Sequence, residues 1–72
     1  MNSSKFTDFG LSVKMELLRR GKSQIWLIDE IKKTSGMFVD DSYIYKILTG
    51  QRAAPKITEA ISAILNITKE GA

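Results

Sequence analysis

The chain has no cysteine and no histidine among its 72 residues. Disulfide staples and Cys/His zinc sites are therefore excluded. The commonest general base and the thiol nucleophile are missing with them. No glycine-rich phosphate loop is present. The longest strictly apolar run is Ile25-Trp26-Leu27-Ile28, against the roughly 20 residues a membrane span needs. The opening Met1-Asn2-Ser3-Ser4-Lys5 lacks the apolar core of a signal peptide. Two carboxylate pairs, Asp29-Glu30 and Asp40-Asp41, are the remaining acid–base candidates. Neighbouring helix residues do not converge on one point, and neither pair lies in a calcium-loop pattern. The expectation is a cytoplasmic protein that is not an enzyme, with no cofactor, metal, membrane or small-molecule substrate.

What is present is an ordinary globular composition, 43% hydrophobic, with a net charge of +3. One domain spanning 1–72 is expected, with an ordered core at about 6–67 and a polar tail at 68–72. A domain near this size buries only roughly 60% of its unfolded surface, so its stability rests on helix packing or on a partner. The mild positive charge suits a polyanion. It is concentrated in residues 1–36, which carry seven basic and four acidic side chains, whereas residues 37–72 carry four of each.

The hydrophobic pattern predicts an all-α bundle of four to five helices. The first helix runs over 8–20, with Thr7 as N-cap and Asp8 at its positive end. Phe6 and Leu11 have hydrophobic-staple spacing. Phe9, Val13 and Leu17, with Leu18 beside them, form its apolar stripe, and Gly21 ends it. The second helix follows Ser23 as N-cap over 24 to about 33 and buries Leu27, Ile28 and Ile31. In the apolar connector after it, Phe38 and Val39 are expected to tuck under the core. Asp40 or Asp41 caps a third helix that runs to Thr49, with Ile44, Ile47 and Leu48 inward and Tyr43 and Lys46 outward. The fourth helix starts at Pro55, where the missing N–H costs nothing. It runs to about Asn66 on an Ile57, Ile61, Ile64, Leu65 stripe, with Ile67 at the core edge.

The pattern Ser23-Gln24-x-x-Leu27-x-x-x-Ile31, followed by Ser42-Tyr43-Ile44-Tyr45-Lys46-Ile47-Leu48-Thr49-Gly50-Gln51-Arg52, resembles the helix-turn-helix of Cro/repressor-type regulators. The resemblance spans about residues 8–67. Two features depart from that pattern: the connection over 32–40 is longer than the family's tight turn, and Ile28 stands where a small residue is usual. The long connection looks like short regulators of temperate phages of Gram-positive bacteria. Among these the chain is similar to the small modulator-of-repression proteins, which act as antirepressors.

This resemblance implies double-stranded DNA as a partner and a bacterial host cell as the location. It implies that Gln24 holds a backbone phosphate, a role helix N-terminal N–H groups favour. Ser42, Tyr43 and Lys46 would enter the major groove, where base edges carry a distinct code. Gln51, Arg52 and Lys56 would grip the DNA backbone, each cation adding to salt dependence. Asp40 and Asp41 are discordant with that role: they favour a helix N-terminus but repel phosphates. They suit docking on the basic surface of a phage repressor protein, with Trp26, Asp40, Asp41 and Tyr43 as the interface. Trp is over-represented at interface hot spots, although Trp26 closing the bundle edge explains it as well. The residues leave both partners open.

Overall fold

The computed structural model describes residues 5–67; the expected polar tail at 68–72 lies outside the described residues. Four helices follow one another, α1 (Asp8–Arg20), α2 (Gln24–Ser35), α3 (Asp41–Leu48) and α4 (Pro55–Leu65), and no strand occurs among the described residues. The all-α expectation is met, with four helices.

Each helix begins and ends for local reasons. The Thr7 hydroxyl accepts from the Gly10 N–H at 3.0 Å, and the Ser23 hydroxyl from the Trp26 N–H at 3.1 Å. Asp40, not Asp41, caps α3, its Oδ1 accepting from the Tyr43 N–H at 2.8 Å. Each cap satisfies one N–H that has no partner inside its helix. Pro55 opens α4 without a side-chain cap. Gly21 and Gly36 close α1 and α2 in the left-handed region, at φ 66° and 76°, and their N–H groups return to Leu17 and Leu18 carbonyls in one case and to Lys32 in the other.

Helix α2 packs most extensively on α4, α1 packs on α3 and α4, and α2 also meets α3. The core holds Val13 and Leu17 from α1, Leu27 and Ile31 from α2, Val39 from the connector, Ile44, Ile47 and Leu48 from α3, and Ile57, Ile61 and Leu65 from α4. Each fully buried side chain contributes about 1.5–3 kcal/mol relative to exposure. Phe9, Ile28, Ile64 and Ile67 pack against this core while remaining half-buried.

Three expectations are corrected. Helix α2 continues two residues past Lys33, so only residues 36–40 connect it to α3. Ser35 contributes by returning its hydroxyl to the Ile31 carbonyl at 2.7 Å. Leu18 is 82% exposed, because only the Val13–Leu17 face of α1 meets the bundle. Phe38 is also 82% exposed while Val39 is buried. Adjacent side chains outside a helix point in opposite directions, so the pair cannot both enter the core. Leu11 stays exposed, and Phe6 sets its ring edge-on to Tyr45 of α3, with centroids 5.9 Å apart.

A close approach of backbones joins α1 to α3. The Leu48 carbonyl accepts from the Thr7 N–H at 3.0 Å and from the Thr7 hydroxyl at 3.2 Å. Gly10 sits directly against that carbonyl, and a Cβ on Gly10 would overlap it. Glycine stands inside α1 because the end of α3 needs the room a side chain would take.

Candidate functional site

The outer face of α3 gathers most of the polar residues singled out in the sequence. Asp41, Ser42 and Lys46 are exposed, and Tyr43 is half-buried. The inward stripe of Ile44, Ile47 and Leu48 leaves Ser42 and Lys46 on the opposite side of the helix, with Asp41 and Tyr43 on its two flanks and Tyr43 packed against the edge of the core.

Gln24 reaches this face from the first position of α2. Its Nε2 donates to Asp41 Oδ1 at 2.9 Å, and its Oε1 accepts from Lys14 Nζ at 3.0 Å. One amide thus ties α1, α2 and α3 together at the surface. Both of its ends are engaged within the chain, and a phosphate reaching the second N–H of Nε2 would lie beside the Asp41 carboxylate. Lys14 also lies over the Phe6 ring, 5.6 Å from its centroid. This places Lys14, Phe6 and Tyr45 beside the α3 face, three residues the sequence reading did not assign to it. Lys14 is four residues before Leu18 on a helix whose inward face the pattern identified. Its link to Gln24 depends on how α1 and α2 pack, which no local spacing encodes.

The loop after α3 folds back on it. The Gln51 and Arg52 N–H groups donate to the Lys46 carbonyl at 2.8 and 3.2 Å, and Gly50 makes the reversal at φ 79°. Arg52 then lies over the Tyr43 ring, 5.3 Å from its centroid, and Gln51 Nε2 donates to the Thr49 hydroxyl at 2.8 Å. Gln51 and Arg52 therefore join Tyr43 and Lys46 on one surface. Lys56 is exposed on the first turn of α4, and no hydrogen bond or ion pair ties it to this surface.

Trp26 stands apart. It is two positions beyond Gln24, about 200° round the helix, and so faces away from α3. It is half-buried against the core, with Lys22 Nζ 5.5 Å from its ring. Asp40 and Tyr43 lie on one side of Ser42 and Lys46 and Asp41 on the other, and Trp26 lines neither surface.

Two open depressions flank the outer edge of α3. One, of about 510 Å³, is lined by Met37, Phe38 and Val39 of the connector, with Asp40, Ser42, Tyr43 and Lys46. The other, of about 400 Å³, lies between Gln24, Asp41 and Tyr45 and the Gln51 loop. Ser42 and Lys46 border both. Phe38 projects from the first depression with Lys32 Nζ 4.9 Å above its ring. An exposed aromatic ring beside a second aromatic is unusual for a small domain with a marginal core. The signal that would have found it is the alternation of side chains along an extended connector, which lets only one of the neighbours Phe38 and Val39 face the core.

Two displaced pKa values lie elsewhere. Glu16 is held below its ordinary value, chiefly by the hydrogen bond from Arg20 and further by Arg19. Lys33 is raised by its contacts with Asp29 and then Glu30. These are surface ion pairs on α1 and α2, at 3.1–3.7 Å, of the kind worth little to stability. Among the described residues no group of three or more acidic side chains is placed to hold a metal ion, and no helix is long and apolar enough to cross a membrane. Protein-family models, curated proteins and solved structures give no match to this chain.

Proposed function

We propose that this chain is a phage-type transcriptional switch regulator of the helix-turn-helix kind, with α2 and α3 as the motif, and that it works through the outer face of α3 in the cytoplasm of a bacterial host. The partner best suited to that face is the DNA-binding domain of a phage repressor, which the chain would occupy and so keep from its operator. The observation that carries this reading is Phe38, 82% exposed beside Tyr43, with Asp40 and Asp41 at the same end of the face. An apolar centre with carboxylates at its rim fits a protein surface that is itself basic. The same carboxylates face repulsion from phosphates.

A second reading has its own support. Gln24, Ser42, Lys46 and Gln51 border one depression, with Lys14 bonded to Gln24 and Arg52 on the neighbouring ring. That polar cluster suits operator DNA, with α3 in the major groove and the surrounding side chains on phosphates. The chain would then bind DNA weakly alone, or as a mixed complex with the repressor.

The test is a fluorescence-anisotropy titration of the full chain against two probes at low and physiological salt. One probe is labelled duplex from the chain's genetic neighbourhood, with scrambled duplex as control; the other is the DNA-binding domain of the repressor encoded beside it. Submicromolar binding to the repressor domain without sequence-selective DNA binding is the expected result. Selective, salt-sensitive duplex binding with no affinity for the repressor domain would overturn it in favour of the operator reading.

A further inference from the structure

Helix α1 carries a second apolar stripe besides the one it buries. Val13 and Leu17 face the core, and Met15, midway between them, points the opposite way. Leu11 and Leu18 flank Met15 on one side, within about 60° of it at roughly 100° per residue. All three are exposed, Leu11 at 39%, Met15 at 65% and Leu18 at 82%. None of them lines the two depressions beside α3. Scattered exposed apolar side chains are ordinary, but three on one helix face form a ridge of the kind that packs against another helix.

The charges along this stripe have opposite signs at its two ends. Asp8 lies at the N-terminal end, exposed. Arg19 and Lys22 lie at the C-terminal end. Arg19 reaches Glu16 at 3.4 Å while its side chain stays 74% exposed, and Lys22 Nζ is 5.5 Å from the Trp26 ring centroid. Asp8 and Lys22 are equally far from Met15 along the chain, and Leu11 and Leu18 nearly so. Turning α1 end for end about Met15 therefore sets an acid against a base and a leucine against a leucine. On the side of Met15 away from the leucines lies a depression of about 300 Å³, lined by Ser12, Met15, Glu16, Asn66 and Ile67.

We infer that two copies of this chain pair through the outer face of α1, antiparallel about a two-fold axis at Met15. Met15 meets Met15, each Leu18 meets Leu11 of the second copy, and each Asp8 meets Lys22 of the second copy. The contact is isologous, as a closed dimer requires. The depression beside Met15 receives the Arg19 stem of the second copy, with Glu16 as its acid. Antiparallel pairing also opposes the two helix dipoles, whereas parallel pairing would stack Asp8 on Asp8 and Lys22 on Lys22. An anionic bilayer suits the stripe less well, because it would attract Arg19 and Lys22 but repel Asp8. The pairing covers none of the residues that line the depressions beside α3, so it stands apart from the reading of that face.

The experiment is sedimentation equilibrium of the full chain up to millimolar concentration. A monomer–dimer equilibrium with a Kd of roughly 10–100 µM is expected, since a contact made by one helix falls below the size of stable interfaces. Leu18→Ser, at an exposed position that circular dichroism should show to be folded, should weaken the dimer about tenfold or more. Asp8→Lys and Lys22→Asp should each weaken it roughly threefold to tenfold. An equimolar mixture of those two variants should recover a mixed dimer, because each acid again meets a base. The chain has no cysteine, so Met15→Cys places a single thiol on the axis. With oxidised glutathione it should form a disulfide-linked dimer about tenfold faster than Ile25→Cys, which is exposed on α2. A chain that stays monomeric at millimolar concentration would overturn the inference. So would a dimer unmoved by Leu18→Ser, or a charge-swapped mixture that recovers nothing. A monomer that binds anionic vesicles and loses that binding in Leu18→Ser would assign the stripe to lipid instead.

Discussion

At its C-terminal end α3 is clasped by backbone. The Leu48 carbonyl accepts twice from Thr7, and Gly10 of α1 lies flat against it. At its N-terminal end the same helix is held by side chains alone: Asp40 caps it, and Gln24 reaches Asp41 from α2. The first arrangement leaves no space and no free polar group, which suits a structural joint. The second is exposed, flanked by depressions and next to a projecting Phe38, which suits an interface. One eight-residue helix thus divides into an end that fixes the fold and an end available to a partner.

This contrast is open to direct attack. The largest expected effect is at the clasp: Gly10→Ala forces a methyl into the Leu48 carbonyl and should cost roughly 3 kcal/mol through overpacking, read as a lowered midpoint in urea. If Gly10→Ala is tolerated within about 0.5 kcal/mol, the joint is not rigid and the comparison fails. At the other end, Asp40→Ala should cost about 1 kcal/mol through loss of the cap, and Asp40→Asn much less; equal losses would show that charge, not capping, holds that end. Ser62 tests the ordinary core away from α3. Its Oγ is buried without a partner among the described residues, so Ser62→Ala should be neutral or stabilise by up to about 1 kcal/mol in the same denaturation assay. Phe38→Ser should change stability by less than about 0.5 kcal/mol, as expected for an exposed site, while abolishing tight partner binding. A large loss of stability there would mean that the ring belongs to the fold after all.

The smallest effect is one of pH. The Arg20 hydrogen bond and the Arg19 charge depress the Glu16 pKa below its ordinary 4.5. The folded state therefore holds this proton less tightly than the unfolded one. The contribution is present above the unfolded value and is lost as pH falls through the lower folded one. Stability measured from pH 5 downward should decline less in Glu16→Gln than in the wild type. Because the pair is exposed, the difference should be slight.

Much of this molecule was legible from spacing. The caps at Thr7 and Ser23, the stop at Gly21, the Pro55 start and the buried faces of α3 and α4 all follow from local pattern. The errors fell where pattern does not reach. Leu18 joined the predicted stripe because it neighbours Leu17, yet the bundle covers only one side of α1. Phe38 was placed inside because it is large and apolar, yet the connector turned it outward. Of the candidate site, Asp40, Asp41, Ser42, Tyr43, Lys46, Gln51 and Arg52 share one face with Gln24 at its edge, whereas Trp26 faces away and Lys56 makes no link to it. Lys14 and Tyr45 were absent from the prediction because their place depends on the packing of α1 against α2 and α3.

The sequence by itself determined that the chain forms helices, where they start, and which stripes they bury. Those outcomes depend on contacts within a few residues: a hydroxyl or carboxylate to an N–H three positions on, a glycine free to take positive φ, an apolar residue every three or four. Only the tertiary structure decided that Gly10 must be a glycine, that Gln24 is shared between Lys14 and Asp41, and that Phe38 stands in solvent on the same surface as Asp40. These depend on residues up to 41 positions apart, as Thr7 and Leu48 are, meeting at distances that only the packed bundle sets.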